Sequence, residues 1–180
     1  MPAYLYVLLP LAGFLVTVLV LAALRPAEFR VTRTTTIAAP PAAAFPLVND
    51  FHRWDDWSPW AKLDPAMTAT HSSAPAGVGA VYEWTGNAKV GAGRMTVLES
   101  RAPDLVRLKL EFFRPFAATN TAEFTFQAEG NQTRVTWTML GENNFMCRAV
   151  GLFMNMDKMI GRDFEKGLAQ MKSAVEAANG

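Results

Sequence analysis

At 180 residues the chain is long enough for one domain with a sizeable core. Its formal net charge of +1, with no basic run interleaved with aromatics, leaves no electrostatic footprint for nucleic acid, and no such partner is expected. A single cysteine, Cys147, excludes an intrachain disulfide; without a Cys-x-x-Cys pair, a His-rich cluster or an H-E-x-x-H pattern, no metal and no cofactor is expected.

Residues 4–24 are uncharged and almost wholly apolar, interrupted only by Pro10, Gly13 and Thr17. About twenty such residues are enough to cross the hydrocarbon core as a helix, so the segment is expected to be a single-pass membrane anchor. A secretory signal peptide would need a positive n-region and a better cleavage site than Ala22, Ala23 and Leu24 provide. Pro10 is tolerable near the first turns. Arg25, Arg30 and Arg33 follow the span and no basic side chain precedes it, which places the remaining domain on the cytoplasmic side. The expected division is an anchor and joint over 1–28 and a folded domain over 29–180.

Residues 29–37, rich in Thr and Val, read as the first strand. Pro40 and Pro41 open a short helix over 38–44 that runs to about Val48, with Asn49 and Asp50 as its stop. Residues 51–60 carry Trp54, Trp57 and Trp60 at a spacing of three, which on a second short helix ending before Pro59 would share a face. Six alternating segments follow, at 67–72, 80–85, 91–100, 105–113, 122–128 and 135–139, separated by turns at 74–79 (with Pro75, Gly77 and Gly79), Gly86-Asn87 and Gly130-Asn131. The cleanest is 105–113, with Val106, Leu108, Leu110 and Phe112 on one side against Arg107, Lys109, Glu111 and Phe113. Consecutive strands with short turns imply an antiparallel meander.

Residues 145–178 close the chain with Met146, Val150, Phe153, Ile160, Phe164, Leu168, Met171 and Val175 in one apolar arc, the pattern of a single amphipathic helix about 50 Å long. Asp157 falls on the same arc, either reaching a nearby Arg at its edge or facing a cavity. The fold class is therefore α+β, a curved antiparallel sheet of about seven strands around a long C-terminal helix, preceded by a transmembrane helix.

Several stretches carry a family likeness: the opening strand into Ile37-Ala38-Ala39-Pro40, the aromatic segment 51–60, the Gly77-Val78-Gly79 turn, Val135-Thr136-Trp137, and the 161–171 part of the last helix. Over 29–178 the chain resembles the helix-grip superfamily that joins START lipid-transfer domains, Bet v 1-like proteins and the polyketide cyclase/dehydrase-like group, SRPBCC. That resemblance implies a hydrophobic small molecule or lipid held between sheet and helix, with cyclisation or dehydration in a minority of members. It transfers no catalytic signature to these residues.

A bent sheet cannot lie flat on a straight helix, so space between them is expected. Its walls are expected to be Tyr82, Trp84, Met95, Val97, Leu110, Phe112, Phe124, Phe126, Trp137, Met139, Phe153, Met156, Ile160 and Phe164, unless these side chains simply fill it as core. Three functions follow. The first is membrane-anchored binding of a hydrophobic small molecule or lipid. The second is a cyclase/dehydratase-like enzyme using Asp157 with Glu99 or His71, whose carboxyl pKa values would rise on burial. The third is a membrane-tethered interaction domain exposing Trp54, Trp57 and Trp60.

Overall fold

The alternation read along the chain becomes one seven-stranded antiparallel sheet in the computed structural model, which describes residues 4–74 and 76–179 without the side chains of Leu5 and Val7. Pro75 of the expected 74–79 turn and residues 1–3 of the anchor segment lie outside the described residues. The strands are β1 (Glu28–Ile37), β2 (Thr68–His71), β3 (Val81–Thr85), β4 (Ala92–Arg101), β5 (Leu105–Arg114), β6 (Ala118–Glu129) and β7 (Gln132–Glu142), in the spatial order β1-β7-β6-β5-β4-β3-β2. Strands β2 to β7 form the meander, and β1 returns to pair with β7, Glu28 opposite Glu142 and Ile37 opposite Thr133. The register gathers Glu28, Glu142, Ala118, Arg114, Ala92, Thr85 and Thr68 along one rim of the sheet.

Four helices accompany the sheet: α1 (Leu5–Leu24), α2 (Pro41–Asn49), α3 (Phe145–Val150) and α4 (Met156–Asn179). Pro41 occupies the first turn of α2, where a missing N–H costs nothing, and the helix continues past Pro46 to Asn49. The expected second short helix is a 3-10 turn, Phe51–Asp56, capped by the Asp50 carboxylate accepting from His52 N.

The single helix expected over 145–178 is two helices. Asn144 Oδ1 accepts from Cys147 N at 2.8 Å and starts α3, the chain leaves the helix at Gly151, and Asn155 Oδ1 accepts from Lys158 N at 2.9 Å where α4 begins. Asn144 caps a free first-turn donor, and Asn155 takes the Lys158 N–H that a through-going helix would have bonded internally, so the second cap overrides the apolar period. Met146, Val150 and Phe153 are consequently exposed, Phe153 at 71%. The true stripe is Phe164, Leu168, Met171 and Val175, all buried. Gly167 lets α4 come close, since a Cβ there would stand 3.0 Å from both Trp137 and Pro59.

Among the described residues, which leave out the side chains of Leu5 and Val7, no helix is long and apolar enough to cross a membrane, so the transmembrane helix expected over 4–24 is not shown. Helix α1 itself has 20 residues and no charge. Leu8, Leu11, Phe14, Leu15, Leu19 and Leu21 are all exposed on it. Its C-terminal end packs on α3, where Ala22 is buried and Arg148 Nη1 donates to the carbonyls of Ala23 and Arg25, at 3.4 Å each.

Between sheet and helices, Trp137 stacks on Phe164 with centroids 3.9 Å apart and planes 5° from parallel, and on Phe124 at 4.7 Å. Trp57 meets both Trp137 and Phe124 edge-on. Phe164→Ala empties the centre of this cluster and is expected to cost about 3–5 kcal/mol, whereas Phe153→Ala is expected to stay within about 0.5 kcal/mol of the parent. Urea unfolding of the two variants checks the assignment; comparable losses would show that Phe153 is core after all.

Candidate functional site: a cavity between sheet and helix

The inward face of β6 steps from small to large. Ala118, Asn120 and Ala122 occupy its first half; Phe124 and Phe126 occupy the second. Strand β7 beside it runs in the opposite direction and matches the step, with Val135 and Trp137 against the phenylalanines, and Met139 and Gly141 against the small residues. The interior is therefore solid toward α2 and hollow toward the rim. The hollow is a cavity of about 390 Å³, a size that takes a small organic molecule.

Ten of the fourteen expected wall residues stand around it: Tyr82, Trp84, Met95, Leu110, Phe112, Trp137, Met139, Met156, Ile160 and Phe164. The other four do not. Val97, Phe124 and Phe126 are buried in the solid half, because they face the sheet's filled end, and Phe153 lies outside in the break between α3 and α4. The Trp84 indole is fixed by donating to Val90 O at 2.9 Å and stacks with Tyr82. Burial, with the Asp55 carboxylate adding to it, pushes the Tyr82 phenol above its ordinary value.

Other residues complete the wall. Trp54 and Trp60 close one side, Phe29 enters from β1, and Asn143, Cys147 and Asp163 come from the final segment. Asp163, three residues after Ile160 and one before Phe164 on α4, was not among the expected wall residues because it lies at the polar edge of the apolar stripe. Asn120 Oδ1 and Trp137 Nε1 are buried without a hydrogen-bond partner, an unsatisfied acceptor and an unsatisfied donor on two residues of a mostly apolar wall that also carries Asp55, Lys89, Glu142 and Asp163. Trp54 and Trp57 donate their indole N–H groups to Val48 O and Leu47 O, pinning the 3-10 turn onto α2. With Trp57 only 1% exposed, Trp54 buried and Trp60 half-buried, the expected tryptophan contact patch is not on the surface.

Residues 28–176 match the family described as polyketide cyclase / dehydrase and lipid transport. The chain belongs to this family. No curated protein matches it. Its fold is shared with protein SA2116 of unknown function from Staphylococcus aureus (TM-score 0.65, 8% identity, 84% of this chain and 96% of that one). It is shared also with protein CV1439 from Chromobacterium violaceum (TM-score 0.59, 15% identity, 84% and 99% covered). The crystal structure of Ara h 8.0201 is a third likeness (TM-score 0.54, 13% identity, 84% and 97% covered).

In this member of the polyketide cyclase / dehydrase and lipid transport family, the three expected acid/base groups neither meet nor line the cavity. Glu99 was placed inward by continuing the alternation from Met95 and Val97. A β-bulge intervenes: Val97 pairs with Leu108 and Glu99 with Arg107, so two steps on β4 match one on β5 and Glu99 turns to the outer face. There it pairs with Arg107, which also holds Glu123 at 2.8 Å. His71 stacks on His52, centroids 4.2 Å apart, and leans on the Tyr82 ring from outside the cavity. Among the described residues, no group of three or more His, Cys, Asp or Glu side chains could hold a metal ion.

Asp157, in the first turn of α4, is 57% exposed and binds Arg33 of β1 at 3.0 Å; Arg33 also reaches Glu165 at 2.7 Å. Gly161 makes the room, because a Cβ there would overlap the Arg33 guanidinium. The Arg33 hydrogen bond holds the Asp157 carboxyl below the ordinary aspartate range. A carboxylate depressed in the folded state stabilises above its unfolded-state pKa, and the contribution is lost as pH falls through the folded value. The stability difference between the parent and Asp157→Asn is therefore expected to be full at pH 7, at most about 1 kcal/mol for so exposed a pair, and to vanish in strong acid. Thermal unfolding of both proteins across that range measures it; a difference that grows on acidification contradicts the assignment.

Proposed function

We propose that this chain binds an apolar small molecule or lipid in the cavity and holds it near a membrane through α1. The single observation that carries this is the hollow half of the interior, about 390 Å³ walled by aromatic, methionine and leucine side chains. A core of this sequence could have closed; large residues at Ala118 and Ala122 would have filled it. Family membership supports a binding role and is equally consistent with ring-forming chemistry. Acid/base catalysis through Asp157, Glu99 and His71 is not supported, because each is engaged outside the cavity.

The unpartnered Asn120 Oδ1 and Trp137 Nε1 favour a ligand that is mainly hydrocarbon but carries a hydroxyl or carbonyl. Leaving each group unmade costs about 1–3 kcal/mol, which a ligand of that kind would recover. The membrane part rests on α1, 20 residues with no charge and apolar side chains exposed along its length. Burying that surface in lipid is favourable by about 25 cal/mol per Å², and Arg25 at its end suits the headgroup layer.

Extraction of the purified full chain with organic solvent, followed by mass spectrometry, is expected to release a stoichiometric apolar molecule. Leu110→Trp, which puts a large ring into the hollow from β5, is expected to lower that occupancy about tenfold with the fold intact. An empty parent that also fails to take up N-phenyl-1-naphthylamine would refute the binding role. For the membrane part, alkaline carbonate washing should leave the full chain in the membrane pellet and release a chain lacking residues 1–26.

A further inference from the structure

The cavity, α1 and an uncovered apolar collar all meet at one rim of the sheet. The register puts the β5–β6 turn, the β3–β4 loop, the end of β7 and the start of β1 at that rim. The cavity reaches it through Lys89, Ala118, Glu142, Asn143, Cys147 and Met156. Near this opening stand exposed large apolar side chains: Phe116 on the β5–β6 turn, at 74% exposure, and Met146, Phe153 and Met154 on the segment between β7 and α4. Single exposed apolar residues are ordinary on a protein surface; four gathered near one opening are not.

What covers them follows from α1. Its C-terminal end is fastened to α3 by Arg148, beside Cys147 in the cavity wall, so α1 leaves the domain from the rim where the cavity opens. Any bilayer that receives α1 is brought against this rim. Arg25 and Arg114 are exposed there, within reach of anionic headgroups, while Arg148 is held against the end of α1 and over the Phe145 ring, 5.7 Å from its centroid. The opposite rim, with the turns at 102–104 and 130–131, has no comparable apolar cluster among the described residues.

We infer that the collar docks on the lipid bilayer with Phe116 and Phe153 immersed, and that ligand passes between cavity and bilayer without crossing water. This rests on the binding role and the lipid placement of α1 proposed above, and it adds the direction in which the cavity faces and the route of loading. Docking of a collar already tethered through α1 is intramolecular, so a small apolar contact area suffices.

The test uses the full chain in vesicles of phosphatidylcholine and phosphatidylglycerol. In a Cys147→Ser background, a nitroxide at Phe116→Cys is expected to be more accessible to oxygen than to a polar nickel chelate. A nitroxide at Gln132→Cys, on the opposite rim, is expected to show the reverse. The pair Phe116→Ser and Phe153→Ser is expected to slow transfer of N-phenyl-1-naphthylamine from vesicles to protein about tenfold, with its equilibrium affinity changed less than about twofold. A water-exposed label at 116 in vesicle-bound protein overturns the docking, as does spin–spin broadening at 116 that shows the collar covered by a second copy. Loss of probe binding with label 116 still immersed would instead defeat the cavity's binding role, and a chain that does not stay with the vesicles would defeat the placement of α1.

Discussion

The stacking of Trp137 on Phe164 and Phe124 is the contact on which the rest of this fold is arranged. It ties α4 to the centre of the sheet at one point, and Gly167 allows the approach. From there the interior differs in its two directions. Toward α2, Phe126, Val135, Phe45 and Leu47 close the space; toward the rim, Ala118, Ala122 and Gly141 leave it open. Because a rigid helix and a curved sheet diverge away from their closest contact, a protein that supplies only small residues there must keep a void or fill it with something else. The cavity thus follows from where the large side chains stop.

The surface chemistry is separate from this interior. Arg33 with Asp157 and Glu165 fastens the start of α4 to β1, Arg107 with Glu99 and Glu123 crosses three strands, and Arg94 pairs with Glu83 between β3 and β4. Charged groups that looked like candidates for chemistry are partners in these exposed networks. Each such pair contributes little to stability, typically below about 1 kcal/mol, yet each one removes a carboxylate from the list of free acids. The buried, unpartnered polar atoms on cavity-wall residues are neutral, an amide oxygen and an indole N–H, while Asp55, Lys89, Glu142 and Asp163 add charged groups to the lining. None of the three expected acid/base groups, Asp157, Glu99 and His71, is among the residues around the cavity.

Most of the fold was legible in the sequence, because strand alternation and turn residues are local signals and the meander pairs neighbours in sequence. Seven strands and seven of the wall residues follow from period two, and Met156, Ile160 and Phe164 from the helical period of the last segment. What was not legible depends on a single residue breaking a period. Leu98 is the extra residue of the β4 bulge, and nothing in its type announces it; Glu99 was misplaced as a result. Asn144 and Asn155 are different. Each is a good capping residue three before a backbone donor that it binds; Asn144 precedes the segment read as one helix, but the apolar period ran past Asn155 and outweighed its cap. Reading the two helices as one carried Phe153 into the expected wall.

That same break also ties architecture to function. A continuous helix from Phe145 would have continued the apolar stripe through Phe153, leaving no irregular segment at this corner. By interrupting the helix with Gly151 and Asn155, the chain turns Phe153 and Met154 outward, brings Cys147 and Met156 to the cavity wall, and gives Arg148 a position from which to grip the end of α1. Strand ends, opening, exposed collar and the root of the apolar helix are therefore consequences of one interruption. Exposure of these side chains is unfavourable in water and would be relieved on lipid, so the docking proposed for the collar and the placement proposed for α1 call for the same environment.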